Sequence, residues 1–175
     1  MDPIEIRPIR AGEGRLLRQV RLAALRESPG AFLTTAAHAE SLPDEEWESR
    51  ARRSARGGAW GIFLALSGDE PCGLAAGIPD PERSGVIELV QMWVDPAHRR
   101  RGVGERLVEA VIAWSVGRAE RVRLGVADDH PAAVALYRSL GFRATGEQEP
   151  APGRSATIHY FEREPGIRRG TRRPS

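Results

Sequence analysis

The sequence predicts an α/β protein, a mixed sheet with helices packed on both of its faces. Three observations lead to that class. Short apolar runs, alternating or continuous, recur along the chain and read as strands. Between them, four longer stretches place apolar residues at helical spacing. Strands and helices then follow in the order β-α-α-β-β-β-α-β-α-β-β, which needs a sheet with helices covering it.

Residues 4–9 alternate isoleucine with polar residues and predict a first strand. Residues 13–26 carry Leu16, Leu17, Val20, Ala24 and Leu25 on one helical face, and Ser28-Pro29-Gly30 ends that helix. Ser41-x-x-Asp44 with Pro43 has the form of a capping box, so a second helix is expected to run to about Arg56, closed by Gly57-Gly58. Residues 60–66 and 72–78 are apolar runs joined by Ser67-Gly68-Asp69-Glu70, a hairpin pattern. Residues 86–94 (Val-Ile-Glu-Leu-Val-Gln-Met-Trp-Val) predict a strand covered on both faces. Residues 103–117 form the best helix, with Val103, Leu107, Val108, Val111 and Ile112 on one side. Val122, Leu124 and Val126 alternate with arginine and glycine, giving another strand. Pro131 opens a helix with Asp128, Asp129 or His130 as its cap, and Gly141 stops it. Two last strands are expected near residues 142–148 and 156–163.

Composition narrows the function. The chain has 175 residues, enough for one domain with a real core, assigned here to residues 1–163. The single cysteine, Cys72, excludes an internal disulfide and a CxxC zinc site, and four histidines without paired spacing suggest no metal. Cys72 lies in an apolar stretch, where a thiol is usually buried rather than an acyl carrier. All 26 basic residues are arginine, so lysine chemistry is excluded. Four of those arginines (Arg168, Arg169, Arg172, Arg173) lie in an acid-free terminal stretch; without them the net charge of +2 turns slightly negative. Residues 164–175 are therefore expected to be an arginine-rich, solvated tail, which argues against nucleic acid as the partner. The apolar runs are too short for a membrane span and the N-terminus lacks a signal-peptide layout, so a cytoplasmic protein is expected.

The most informative stretch is Arg99-Arg100-Arg101-Gly102-Val103-Gly104, between a predicted buried strand and the long helix. Glycines there let the backbone turn tightly and approach a ligand. The free N–H groups of the next helix converge on one spot that suits a diphosphate, with arginine charge nearby. Neither a G-x-x-x-x-G-K-[ST] nor a G-x-G-x-x-G spacing is present. The run Val94-Asp95-Pro96-Ala97-His98-Arg99-Arg100-Arg101-Gly102-Val103-Gly104 resembles the acetyl-CoA motif [Q/R]-x-x-G-x-[G/A] of the GNAT N-acetyltransferase superfamily. A second motif is similar: Ala133-x-x-Leu136-Tyr137-x-x-x-Gly141-Phe142 resembles A-x-x-L-Y-x-x-x-G-F.

The resemblance implies a GNAT-like fold with a central, twisted, mostly antiparallel sheet. It implies acetyl-CoA as cofactor, with no metal, and transfer of acetyl to a primary amine on a small molecule or peptide. Backbone N–H groups from Arg101 to Glu105 would cradle the diphosphate, with Arg99 and Arg100 alongside. The strand ending at Met92, Trp93 and Val94 would splay from its neighbour at a bulge and pair with the pantetheine. Tyr137 would be the general acid for the leaving thiolate, although its place on an apolar helical stripe is also explained by packing. Glu88 stands where histone-acetylating relatives carry a catalytic glutamate. A lone carboxylate inside an apolar strand needs a cleft or a partner, so Glu88 is either the general base or an edge carboxylate paired with an arginine. His130 replaces the asparagine that many relatives use toward the cofactor, and capping is its other reading. Phe32, Trp47, Trp60 and His159 are the candidates for the acceptor pocket, although tryptophans are more often core. Two other readings stay open: another acyl-CoA as donor, and a non-catalytic module that binds acetyl-CoA. Relatives often form homodimers.

Overall fold

A computed structural model describes residues 3–32, 34–153 and 155–166. The expected tail falls largely outside them, at residues 167–175. Seven strands form one sheet in the order β1-β2-β3-β4-β5-β7-β6. The strands are β1 (Ile4–Pro8), β2 (Gly61–Ser67), β3 (Glu70–Pro79), β4 (Val86–Val94), β5 (Arg121–Ala127), β6 (Arg143–Pro150) and β7 (Thr157–Arg163). All neighbours are antiparallel except β4 and β5, which are parallel. A parallel pair needs a crossover, and α4 (Val103–Ser115) supplies it.

Two apolar layers flank the sheet. On one face Leu107, Val108 and Val111 of α4 pack with Phe63, Ala75, Leu89, Val122 and Leu124, and α5 (Pro131–Ser139) adds Tyr137. On the other face Leu17, Val20, Ala24 and Leu25 of α1 (Gly14–Glu27) and Trp47 and Ala51 of α3 (Asp44–Ala55) meet Ile62, Leu64, Leu74 and Ala76. Residues two apart on a strand share a face, so the central strands β2, β3 and β4 feed both layers. Gly61 and Gly77 have no room for a side chain: a Cβ would come within 2.6 Å of the Trp114 ring at Gly61 and within 2.9 Å of it at Gly77.

The structure differs from the expectation at three places. Ser41 does not cap α3. It ends a short helix, α2 (Ala36–Ser41), and its hydroxyl donates to the His38 carbonyl. Pro43 takes the N-cap position without a side-chain bond, and Thr35 caps α2 instead. The β4 strand is not covered throughout: Ile87 and Leu89 are buried, whereas Glu88 and Val90 on the opposite face are half-buried. Finally, His130 is the N-cap of α5 by position, but its side chain makes no capping bond.

Candidate functional site

The site begins where β4 and β5 part. They pair only at Val86–Arg121, Ile87–Val122 and Glu88–Arg123. Beyond Glu88, β4 turns away through a bulge: Ala76 faces Val90 and Leu74 faces Trp93, so β4 has one residue more than β3. Gln91 sits in that bulge at φ +57°, a left-handed backbone that costs a non-glycine residue energy and marks functional strain. Between Leu89 and Val94 the edge of β4 facing β5 therefore has no strand partner among the described residues.

The chain then makes a tight turn onto α4. Asp95 caps a 3₁₀ turn (Pro96–His98) by accepting from the Ala97 N–H at 2.8 Å. Arg100 (φ +62°) and Gly102 (φ +73°) are both left-handed. Gly102 is the N-cap of α4 and, lacking a side chain, leaves the first turn uncapped. A Cβ on Gly102 would meet nothing within 4 Å, so the space in front of the helix start is open. Uncapped amides with the helix dipole behind them suit an anion. Gly104 lies deeper, and a Cβ there would contact Met92 Cε at 3.1 Å and Leu136 Cδ2 at 3.5 Å. The start of α4, the end of β4 and α5 thus converge, bringing Met92, Val94, Val103 and Gly104 together.

Other expected cofactor residues are committed elsewhere. Arg99 donates through Nε to the Val94 carbonyl (2.9 Å) and through Nη2 to Glu27 (2.9 Å). Trp93 is 5% exposed, and its indole N–H donates to the same carboxylate at 3.0 Å. These two residues pin the end of β4 to α1. His130 lies beside Asp129, with Nε2 3.6 Å from Oδ1.

Tyr137 is buried on the α4 side, packed edge-on against Phe142 with ring centroids 5.9 Å apart. Burial pushes its phenol well above the ordinary value, so it stays protonated. Glu88 lies on the opposite face of the sheet, in a cavity of about 300 Å³ lined by Asp80, Arg83, Arg123, Glu147 and Tyr160. Burial raises its carboxyl first and the Asp80 carboxylate raises it further, while Arg123 and Arg83 pull it down.

Arg123 organises that cavity. Its side chain is 1% exposed, pairs with Glu147 (2.7 Å) and Glu162 (2.9 Å), and lies 4.0 Å over the Tyr160 ring. Arg83 reaches Glu147 at 3.2 Å and ties the loop before β4 to β6. Tyr160 donates to Glu149 at 2.7 Å, and burial with that carboxylate pushes its phenol up to about 12. Arg123, Glu147 and Tyr160 are absent from the sequence-based candidates. The pattern Val122-Arg123-Leu124 does mark Arg123 as facing away from the α4 layer, the signal that could have found it.

The four acceptor candidates do not assemble. His159 shares a face with Phe161 and the α4 layer, with Nε2 3.9 Å from Asp128, whereas its neighbour Tyr160 faces Glu88. Trp47 is 2% exposed in the second core. Trp60 is 37% exposed beside Arg53, outside the Glu88 cavity. Phe32 borders the second core, under the guanidinium of Arg21. Cys72 is 3% exposed, and burial raises its thiol.

Residues 22–142 match the acetyltransferase (GNAT) family. The chain belongs to that family. It is 39% identical over 94 residues to a mycothiol acetyltransferase from Clavibacter sepedonicus, covering 54% of this chain and 29% of that protein. The chain spans between 29% and 36% of the length of that protein and of a second curated relative. Solved structures share the fold. A GNAT-family acetyltransferase from Streptococcus pneumoniae superposes with a TM-score of 0.78 at 19% identity, covering 93% of this chain and 99% of that one. Spermidine N-acetyltransferase from Vibrio cholerae, solved with CoA and spermine, gives 0.69 at 18% identity, covering 92% and 95%.

Proposed function

We propose that this GNAT chain transfers acetyl from acetyl-CoA to a primary amine, by direct attack of the amine in a ternary complex. The observation that carries the reading is the parting of β4 from β5 beside the uncapped start of α4, with Glu88 on one face of the gap and Tyr137 on the other. The open space at Gly102 fits a diphosphate, which the amides of Val103 and Gly104 would bind. The edge of β4 that faces β5 between Leu89 and Val94 would hold the pantetheine, and an N–H there would polarise the thioester carbonyl. Acetyl-CoA supplies an activated acyl group and a thiolate leaving group.

The chain's residues then manage protons. An alkyl ammonium has a pKa of about 10 and must lose a proton before its nitrogen attacks. Glu88, whose pKa is raised by burial, accepts that proton directly or through water. Tyr137, held protonated in an apolar pocket, donates to the departing sulfur. Carboxylates from β6 and the loop before β4 outnumber the arginines in the Glu88 cavity, a field that favours an ammonium.

The test begins with calorimetric titration by acetyl-CoA, dephospho-CoA and adenosine diphosphate, followed by thiol release with a panel of amines. Tight binding that needs both diphosphate and pantetheine, with amine-dependent thiol release, is expected. Tyr137→Phe should lower kcat by about 10²-fold or more while acetyl-CoA affinity holds. Cofactor binding without thiol release from any amine would overturn the enzymatic reading and leave a binding module.

A further inference from the structure

On the same face of the sheet as Glu88, one cation lacks a counter-charge. Arg21 on α1 is 6% exposed, and its Nη1 has no hydrogen-bond partner. No acidic side chain pairs with it among the described residues, and the charge that acts on it is another cation, Arg50. Its guanidinium carbon lies over the Phe32 ring, 4.5 Å from the centroid. Burial, reinforced by Arg50, pulls its pKa down to about 10. A buried charge without a partner is strongly unfavourable. The neighbouring carboxylate of Glu46 does not relieve it, because it pairs with Arg50 Nε at 2.7 Å. A second orphan donor lies in the same core: the Trp47 indole N–H has no partner, and Arg50 lies 5.2 Å over that ring.

We infer that Arg21 is the specificity-determining group for a carboxylate on the acceptor, so that the substrate is a carboxylate-bearing amine. The inference rests on the acetyl-transfer reading above. Phe32 offers the guanidinium no hydrogen-bond acceptor and Nη1 stays unpartnered, and a carboxylate matches the fork of N–H donors. Arg50 is paired with Glu46, whereas Arg21 has no acidic partner among the described residues, which suits a monoanion. The core that Phe32 borders also takes in Val90, two residues along β4 from Glu88 on the same face. An acceptor held at Arg21 would therefore lie on the same face of the sheet as Glu88.

The experiment compares kcat/KM for L-methionine, β-alanine and γ-aminobutyrate with that for their carboxamides, in wild type and Arg21→Met. Wild type should prefer at least one acid over its amide by about tenfold or more, and in Arg21→Met that ratio should collapse to about one. The variant should also be at least as thermostable as wild type without ligand, since it removes a buried unpaired charge. Equal use of acids and amides by wild type, or a preference that survives in Arg21→Met, would overturn the assignment. Absence of thiol release with every amine, spermidine included, would instead count against acetyl transfer. Thermal shift with the same compounds then decides the site alone: a rise in Tm with an acid but not its amide, lost in Arg21→Met, supports it, and equal shifts refute it.

Discussion

The cluster around Arg123 gives an asymmetric prediction. The Arg123 side chain is 1% exposed, whereas its partners Glu147 and Glu162 are 52% and 27% exposed. Removing the cation leaves carboxylates that water can reach. Removing the carboxylates leaves a guanidinium that water cannot reach. Arg123→Met fills similar volume and forfeits the stacking on Tyr160, so it should lower stability by about 1 kcal/mol, within the usual range for a cation–π contact. The double variant Glu147→Ala/Glu162→Ala strands the buried guanidinium, at about 3–5 kcal/mol for an uncompensated charge. For a chain of this length 1 kcal/mol corresponds to about 2–4 °C, so the two should differ in Tm by several degrees at least. Thermal unfolding followed by circular dichroism at neutral pH reads both. The sign with pH follows from Glu147, whose pKa Arg123 holds below the ordinary carboxylate value. The stabilisation is present above the unfolded carboxyl pKa and is lost as pH falls through the depressed folded one. Arg123→Met should therefore lose less stability on acidification than wild type. If Arg123→Met is as damaging as the double variant, the idea that burial rather than pairing sets the cost is wrong.

Other outcomes follow from the same geometry. Gly102→Val places a β-branched residue at φ +73°, costing about 1–2 kcal/mol. Its side chain would enter the open space before α4, so calorimetry should show acetyl-CoA affinity falling at least about tenfold in a folded protein; unchanged affinity would move the diphosphate elsewhere. The rising limb of the kcat/KM profile should move to higher pH in Arg123→Met and to lower pH in Asp80→Asn, because Arg123 lowers and Asp80 raises the Glu88 pKa; coincident profiles would clear Glu88 of the base role. Cys72 should resist iodoacetamide in the folded protein and react only on unfolding, since burial raises its thiol pKa; rapid alkylation of native protein would contradict that burial.

The fold was legible because its signals are local. Apolar alternation marked β1 and β5, helical spacing marked α1 and α4, and Gly141, at φ +87°, stopped α5 as its type suggests. The short α2 was missed because six residues carry too little periodicity, and Ser41 supplied a capping pattern that its own helix end consumes. The site was only half legible, for a different reason. The proposed cofactor side, built on backbone amides, has a compact signature in the sequence, the turn at Arg99–Gly104. The proposed acceptor side draws on β4, β5, β6, β7, α1 and α3, and which residues meet there depends on strand register. Register explains why His159 lies apart from the Glu88 cavity: one residue along β7 changes the face, and Tyr160 is the residue that meets Arg123 and lines that cavity.

The same parity makes chemical sense of the layout. Val122, Leu124 and Phe161 give Tyr137 a dry environment on the α4 side, where a phenol keeps its proton. Arg123 and Tyr160, on the alternate positions, give Glu88 a polar, charged cavity. In the proposed mechanism one sheet would separate a proton donor from a proton acceptor, with the gap between β4 and β5 where the two environments meet. A group that must lose a proton on one face and a group that must gain one on the other can react there without the acid and base neutralising each other. That division needs the strands to part after Glu88. A substitution that closes the gap, by removing the bulge at Gln91, should therefore abolish turnover even with Glu88, Tyr137 and the turn onto α4 intact.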